Sequence, residues 1–142
     1  MAGWNIRYPP SPDEELGRWV LGDAPQLESL RAGLQRAVLG RADAENREDL
    51  AERLVIVATE LAGNALRHGR PPTVVILQRS DGHLVVDVAD GAPGAVPAVA
   101  DQRPAGDGGL GLVLAQRLAL EVGWCPTGLG KRVWATFALA EH

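Results

Sequence analysis

One cysteine, one methionine, one phenylalanine, one tyrosine and a single lysine, Lys131, stand among 142 residues. Each scarcity removes a class of protein. Cys125, alone, forms no internal disulfide and anchors no clustered metal site, which fits a reducing cytosol. A thiol nucleophile needs a paired base, and no histidine is near Cys125 in sequence, so a half-buried strand residue is its expected role. No apolar run approaches the length of a membrane span. The start, Met1-Ala2-Gly3-Trp4-Asn5, has no basic segment leading into an apolar core, so no secretory signal and a cytoplasmic location are expected. A net charge of −4 gives no basic footprint for nucleic acid.

The rest is ordinary for one globular domain, with 46% hydrophobic and 23% charged residues. Arginine far outnumbers lysine, and alanine, glycine and proline are abundant, as in GC-rich bacterial genomes. Residues 1–17, with Pro9-Pro10-Ser11-Pro12 and Asp13-Glu14-Glu15, read as a flexible N-terminal leader before a domain over 18–142. Arg18 to Leu21 reads as a short strand closed by Gly22-Asp23. Pro25 suits the first turn of a helix carrying Leu27, Leu30, Leu34, Ala37 and Val38, with Gly40 as its stop.

The clearest pattern follows. Leu50, Leu54, Val57, Ala58, Leu61 and Ala65 recur at spacings of three and four, and Gly69-Arg70-Pro71-Pro72 ends the run. Two β-branched runs, Thr73 to Gln78 and His83 to Val88, flank Ser80-Asp81-Gly82, a hairpin signal. From Gly91 to Gly109 the chain is mostly Gly, Ala, Pro and Asp, a long loop of the kind that carries function. Leu110 to Leu120 reads as a helix, and Trp124-Cys125 with Val133 to Ala140 as a closing hairpin around Gly128-Leu129-Gly130. The order ααββ-loop-αββ predicts an α+β fold, not a βαβ repeat.

Three segments hold chemistry. Glu60, Asn64 and His68, four apart, form one stripe bordering the apolar face of the long helix, at the edge of the core. A solvated helix side is the plain alternative for such a pattern alone. Asp90 stands where a strand exits into Gly91-Ala92-Pro93-Gly94, and a carboxylate there can accept from an exocyclic amine. A turn aspartate is its plain alternative. Gly106-Asp107-Gly108-Gly109-Leu110-Gly111-Leu112 offers backbone N–H groups and a helix start to an anion. Its spacing matches a dinucleotide fingerprint formally, but no apolar strand precedes it and too little chain follows. Gly128 to Arg132 is no Walker loop either, with Cys125 and Arg132 at positions that need glycine and Ser or Thr.

The conjunction and order of these segments resemble the GHKL ATPase superfamily. Glu60-Leu61-Ala62-Gly63-Asn64-Ala65-Leu66-Arg67-His68 is similar to the N box of the RsbW-type anti-sigma factor kinases. The tail from Gly123-Trp124 through Gly130-Lys131-Arg132-Val133-Trp134-Ala135 looks like the ending of many actinobacterial members. The likeness covers roughly residues 19–140. It implies a Bergerat-type two-layer α/β sandwich, a mixed, mostly antiparallel sheet with helices on one face.

It also implies roles. Glu60 would polarise an attacking hydroxyl, Asn64 would coordinate Mg²⁺ on the phosphates of ATP, and Asp90 would read adenine. Gly106, Gly108, Gly109 and Gly111 would form the phosphate-facing hinge of a mobile lid over Gly91 to Gly109, with Gly94 and Leu110 completing the nucleotide contacts. The sequence departs from the pattern at Ala92, where the motif has its middle glycine, and at Gly108, where relatives often carry Arg or Thr. Arg132 takes the place of the Thr or Ser expected near adenine.

The implied function is a cytosolic serine/threonine kinase that sequesters a sigma factor and phosphorylates a STAS-type anti-anti-sigma protein, with a homodimer possible. Contact with nucleic acid or membrane is not expected. A sensor histidine kinase is disfavoured because no dimerisation and phosphoacceptor segment is recognised and Phe137 lies outside the lid. The gyrase, heat-shock chaperone and mismatch-repair branches need further domains. The alternative from another class is a non-catalytic anti-sigma or protein-binding module with weak or no ATP turnover.

Overall fold

The computed structural model describes residues 6–91, 110–128 and 130–140. Strand β1 (Glu14–Leu21) leads through a 3₁₀ turn at Ala24–Gln26 into helices α1 (Leu27–Leu39) and α2 (Arg47–His68). Strands β2 (Thr73–Ser80) and β3 (His83–Asp90), helix α3 (Leu110–Leu118), and strands β4 (Glu121–Pro126) and β5 (Lys131–Ala138) follow. The strands form one sheet in the order β1-β2-β3-β5-β4, every pairing antiparallel. A parallel bridge between Ile6 and Trp124 supplies its mixed character among the described residues.

Helix α2 organises the core. Its acidic first turn (Glu48, Asp49) and basic last turn (Arg67, His68) complement the helix dipole. Leu50, Leu54, Val57, Ala58, Leu61, Ala62 and Ala65 line its buried face. That stripe meets Leu30, Leu34 and Val38 of α1 and the inward residues of the sheet: Val75, Leu77, Leu84, Val86, Val88, Val133, Ala135 and Phe137. Helix α3 lies on the far side of α2, where Arg53 donates to the Leu118 carbonyl at 3.2 Å and satisfies an orphan acceptor at the helix end. The β2–β3 turn has Asp81 and Gly82 at φ 43° and 80°, the mirror-type turn that matches strand twist.

The fold class expected from the sequence stands. The strand at the start, expected over Arg18 to Leu21, begins earlier, at Glu14. β1 begins at Glu14 because Glu14 and Glu15 pair with Arg79 and Gln78 beyond a bulge, a partnership no local pattern reveals. Residues 6–13 are also tied down. The Arg7 amide donates to the Trp124 carbonyl at 2.8 Å, the Trp134 indole to the Arg7 carbonyl at 3.0 Å, and the Ser80 hydroxyl to the Ser11 carbonyl at 2.7 Å. The segment thus crosses the sheet face opposite the helices. Trp134, Val85, Gln78 and Thr136 are buried there. Cys125, expected half-buried, is almost fully enclosed, and burial pushes its thiol above the ordinary range, away from reactivity.

Leu54 is fully buried at the middle of α2. Leu54→Ala should cost about 2–5 kcal/mol. Urea unfolding followed by circular dichroism should show a lower midpoint at unchanged slope; an unmoved midpoint would place Leu54 outside the core.

Candidate functional site

The last turn of α2 and the exit of β3 are drawn together by the connection between α2 and β2. Gly91 donates its amide to the Arg70 carbonyl at 2.7 Å, and Gly69 caps α2 by donating to Ala65 at 2.8 Å. The approach is close enough to require glycine: a Cβ on Gly69 would lie 2.5 Å from Asp90 Oδ2 and 2.7 Å from the Ala65 carbonyl. On the other flank, β5 enters beside β3 with Gly130 against the Asp90 carbonyl, where an added Cβ would stand at 1.7 Å. Asp90 is therefore clasped between the end of α2 and the start of β5.

Its carboxylate has a partner that sequence reasoning did not supply. Lys131 is directly opposite Asp90 in the β3–β5 register, and its Nζ lies 2.9 Å from Asp90 Oδ2, with side chains only 9% and 2% exposed. Strand alternation puts the next residue, Arg132, on the opposite face of the sheet. There its guanidinium pairs with Asp87, Nε donating at 2.8 Å. Arg132, expected on the side of Asp90, thus stands on the other face, and Lys131 is the residue beside Asp90. The usable signal was the parity of β5 relative to Asp90, and parity needs the register, which is long-range.

Glu60 and Asn64 sit one turn apart on α2, both half-buried on a helix whose adjoining face is core. His68, the third of the stripe, is exposed. Asn64 Oδ1 accepts from Arg67 at 2.8 Å, so the amide oxygen is oriented by an exposed cation three residues on. Leu110 and Gly111 open α3, which packs on α2. Gly94, Gly106, Gly108 and Gly109, with most of the expected lid, lie outside the described residues.

The donor set fits Mg-ATP. Asn64 offers a hard oxygen ligand with the Glu60 carboxylate one turn away, and Mg²⁺ bound to phosphates needs only one or two ligands from protein. Among the described residues there is no group of three or more His, Cys, Asp or Glu able to hold a metal by itself. The Asp90 carboxylate is buried beside Gly69 and Gly130, and a carboxylate is an acceptor of the kind an exocyclic amine requires.

Comparison with known proteins agrees with the fold. Residues 22–137 match the histidine kinase-like ATPase domain. The signal transduction histidine-protein kinase AfsQ2 of Streptomyces coelicolor is 32% identical, over 72% of this chain and 23% of its own length. The chain therefore spans about a quarter of that relative. Among solved structures, the RsbU and RsbW domains of a Mycobacterium tuberculosis protein superpose with a TM-score of 0.62 at 19% identity, covering 89% of this chain and 33% of that one.

The enclosed Asp90–Lys131 pair generates a stability prediction. Lys131→Met strands a buried carboxylate and should cost about 3–5 kcal/mol, whereas Asp90→Asn combined with Lys131→Met should recover most of that loss. Urea midpoints of the parent, the single variant and the double variant check it. Equal midpoints for parent and Lys131→Met would mean that the pair is solvated.

Proposed function

This chain belongs to the histidine kinase-like ATPase domain family, a GHKL-type ATP-binding domain, and from that premise we propose that it works as a switch kinase. It transfers the γ-phosphoryl group of Mg-ATP to a serine or threonine of a STAS-type anti-anti-sigma protein and, in its other state, sequesters a sigma factor. The observation that carries this reading is the half-buried Glu60 and Asn64 on the helix whose end clasps Asp90. The choice of partners follows the likeness of Glu60 to His68 to the RsbW-type N box.

Phosphoryl transfer asks little covalent chemistry of a protein; positioning and charge neutralisation suffice. Asp90 fixes the base. Asn64 supplies an amide oxygen to the metal, which neutralises phosphate charge when bound. Glu60 takes the hydroxyl proton as the acceptor oxygen bonds to the γ-phosphorus and the bond to ADP breaks. The Glu60 carboxylate one turn from Asn64 supports that role.

A second reading has one observation in its favour. The Streptomyces relative is a histidine kinase, so the domain is alternatively the ATP-binding part of such an enzyme, with an imidazole as acceptor. The two differ in the bond they make: phosphoserine and phosphothreonine survive acid, and phosphohistidine does not.

Mg-ATP at about 100 times its Kd should stabilise the protein by about 2.7 kcal/mol. Asn64→Ala should remove the magnesium-dependent part of that gain and the transfer with it. Glu60→Ala should keep the gain and slow transfer about 10²–10⁴-fold. Thermal melts with and without Mg-ATP, and radiolabel transfer to STAS-domain proteins before and after acid, are the measurements. An acid-labile product supports the histidine reading. Binding without transfer to any acceptor supports a non-catalytic module, and no thermal shift at millimolar Mg-ATP rejects the nucleotide site.

A further inference from the structure

We infer that the sheet face opposite the helices is a binding surface for an extended, proline-containing peptide that carries an arginine. Residues 6–12 of this chain occupy it in cis, and a peptide of the same chemistry competes for it in trans. The inference is independent of the nucleotide site.

The contacts are of the kind that reads a main chain. The Arg7 amide donates to the Trp124 carbonyl at 2.8 Å, next to the parallel bridge of Ile6 to Trp124 at the outer edge of β4. The Trp134 indole donates to the Arg7 carbonyl at 3.0 Å, and the Ser80 hydroxyl to the Ser11 carbonyl at 2.7 Å. These bonds fix the path of the backbone at both ends and call for no particular side chain. Pro9 and Pro10 lie half-buried between them. Proline holds φ at about −65°. Tyr8, Pro9 and Ser11 each precede a proline and are thereby biased toward extended backbone. Such a segment loses little conformational entropy on seating, which is how proline-rich peptides bind aromatic surfaces.

One side chain adds selectivity. The Arg7 guanidinium pairs with Glu121 and stands over the Trp134 ring, 5.7 Å from its centroid. The indole reaches across β4 because Gly123, its cross-strand neighbour, has no side chain; a Cβ there would stand 2.4 Å from the ring. The rest of the seat holds the segment weakly. Ile6 and Tyr8 are 53% and 69% exposed. On the face that the segment crosses, Gln78 Oε1, Thr136 Oγ1 and Asp87 Oδ1 are buried with no hydrogen-bond partner among the described residues. Apolar side chains turned outward and polar atoms left unpaired below make the segment cheap to lift, since lifting returns those atoms to water.

A segment that is only a fixed part of the fold makes a different forecast, because it never yields its place. The probe is a dye-labelled synthetic peptide of residues 6–13, titrated by fluorescence anisotropy onto three full-length chains. These are the parent, Arg7→Glu, and Pro9→Gly with Pro10→Gly. Both variants weaken the cis contact and leave the receiving face unchanged. In the parent, the cis segment competes at an effective concentration on the order of millimolar. Each variant should therefore bind the peptide about tenfold more tightly than the parent does. A peptide N-methylated at Arg7 has no amide to donate to Trp124. It should bind both variants about three- to tenfold more weakly than the unmodified peptide, the loss of one hydrogen bond. A peptide with Arg7→Glu should also bind more weakly. Circular dichroism identifies a variant that has lost its fold, and the other then carries the test.

Equal affinity of the peptide for parent and variants, or no binding at millimolar peptide, overturns the inference and leaves the segment a fixed element. Undiminished binding of the N-methylated peptide overturns it as well, because the peptide then sits elsewhere. Undiminished binding of the Arg7→Glu peptide removes the arginine from the chemistry that this face selects.

Discussion

The site depends on how closely three pieces of backbone meet at Asp90. Gly69 at the end of α2, Gly91 at the exit of β3 and Gly130 at the entry of β5 converge there, joined by the hydrogen bond from Gly91 to Arg70. Neither flank has room for a side chain. The convergence fixes the carboxylate against the helix that carries Glu60 and Asn64, and it excludes water from the Asp90–Lys131 pair. An ion pair held this way contributes little net stability over an apolar pair, but breaking it by halves is costly. Its physical effect is orientation.

Helix α2 joins core to chemistry. One stripe, from Leu50 to Ala65, is buried against α1 and the sheet, so the rotation of the helix is not free. Glu60 and Asn64 border that stripe and are half-buried as a consequence. Their placement is therefore set by core packing. Arg67, one turn beyond Gly63, holds the Asn64 amide oxygen. That contact lies at the surface and yields easily to a stronger ligand.

What was legible in the sequence was what is local. The period of α2, the Asp81-Gly82 turn, the opening of α3 at Leu110 and the closing hairpin all follow from neighbours a few residues apart, and the structure has each of them. The candidate residues Glu60, Asn64 and Asp90 were found the same way, as spacings and strand exits. Three things were not legible, and each rests on a partner far away in sequence. Glu14 and Glu15 join β1 because Arg79 and Gln78 lie alongside. Residues 6–13 resemble a leader until they are seen bonded to Trp124, Trp134 and Ser80. Lys131 and Arg132 are adjacent basic residues, and nothing local says which faces Asp90.

That choice is made in part on the opposite face of the sheet. Asp87, 1% exposed as a residue, is paired by Arg132 across β3 and β5, beside Trp134. Sliding β5 by one residue would invert its faces, as the two-residue period of a strand requires. In one direction Arg132 would then stand by Asp90, an acceptable exchange of one cation for another. Sliding one way sets Asp87 among Val133 and Ala135 without its cation, whereas sliding the other way brings Lys131 opposite Ala89, where Arg132 now stands. Stranding a buried charge costs about 3–5 kcal/mol, a large share of the stability of a domain this size. The slipped register would also send Trp134 into the helix side and Phe137 out of it. The Asp87–Arg132 pair and the inward set of Val133, Ala135 and Phe137 together hold the register in which Lys131 meets Asp90. Arg132 bears on that meeting through the sheet, by helping to fix which of two neighbouring cations reaches Asp90.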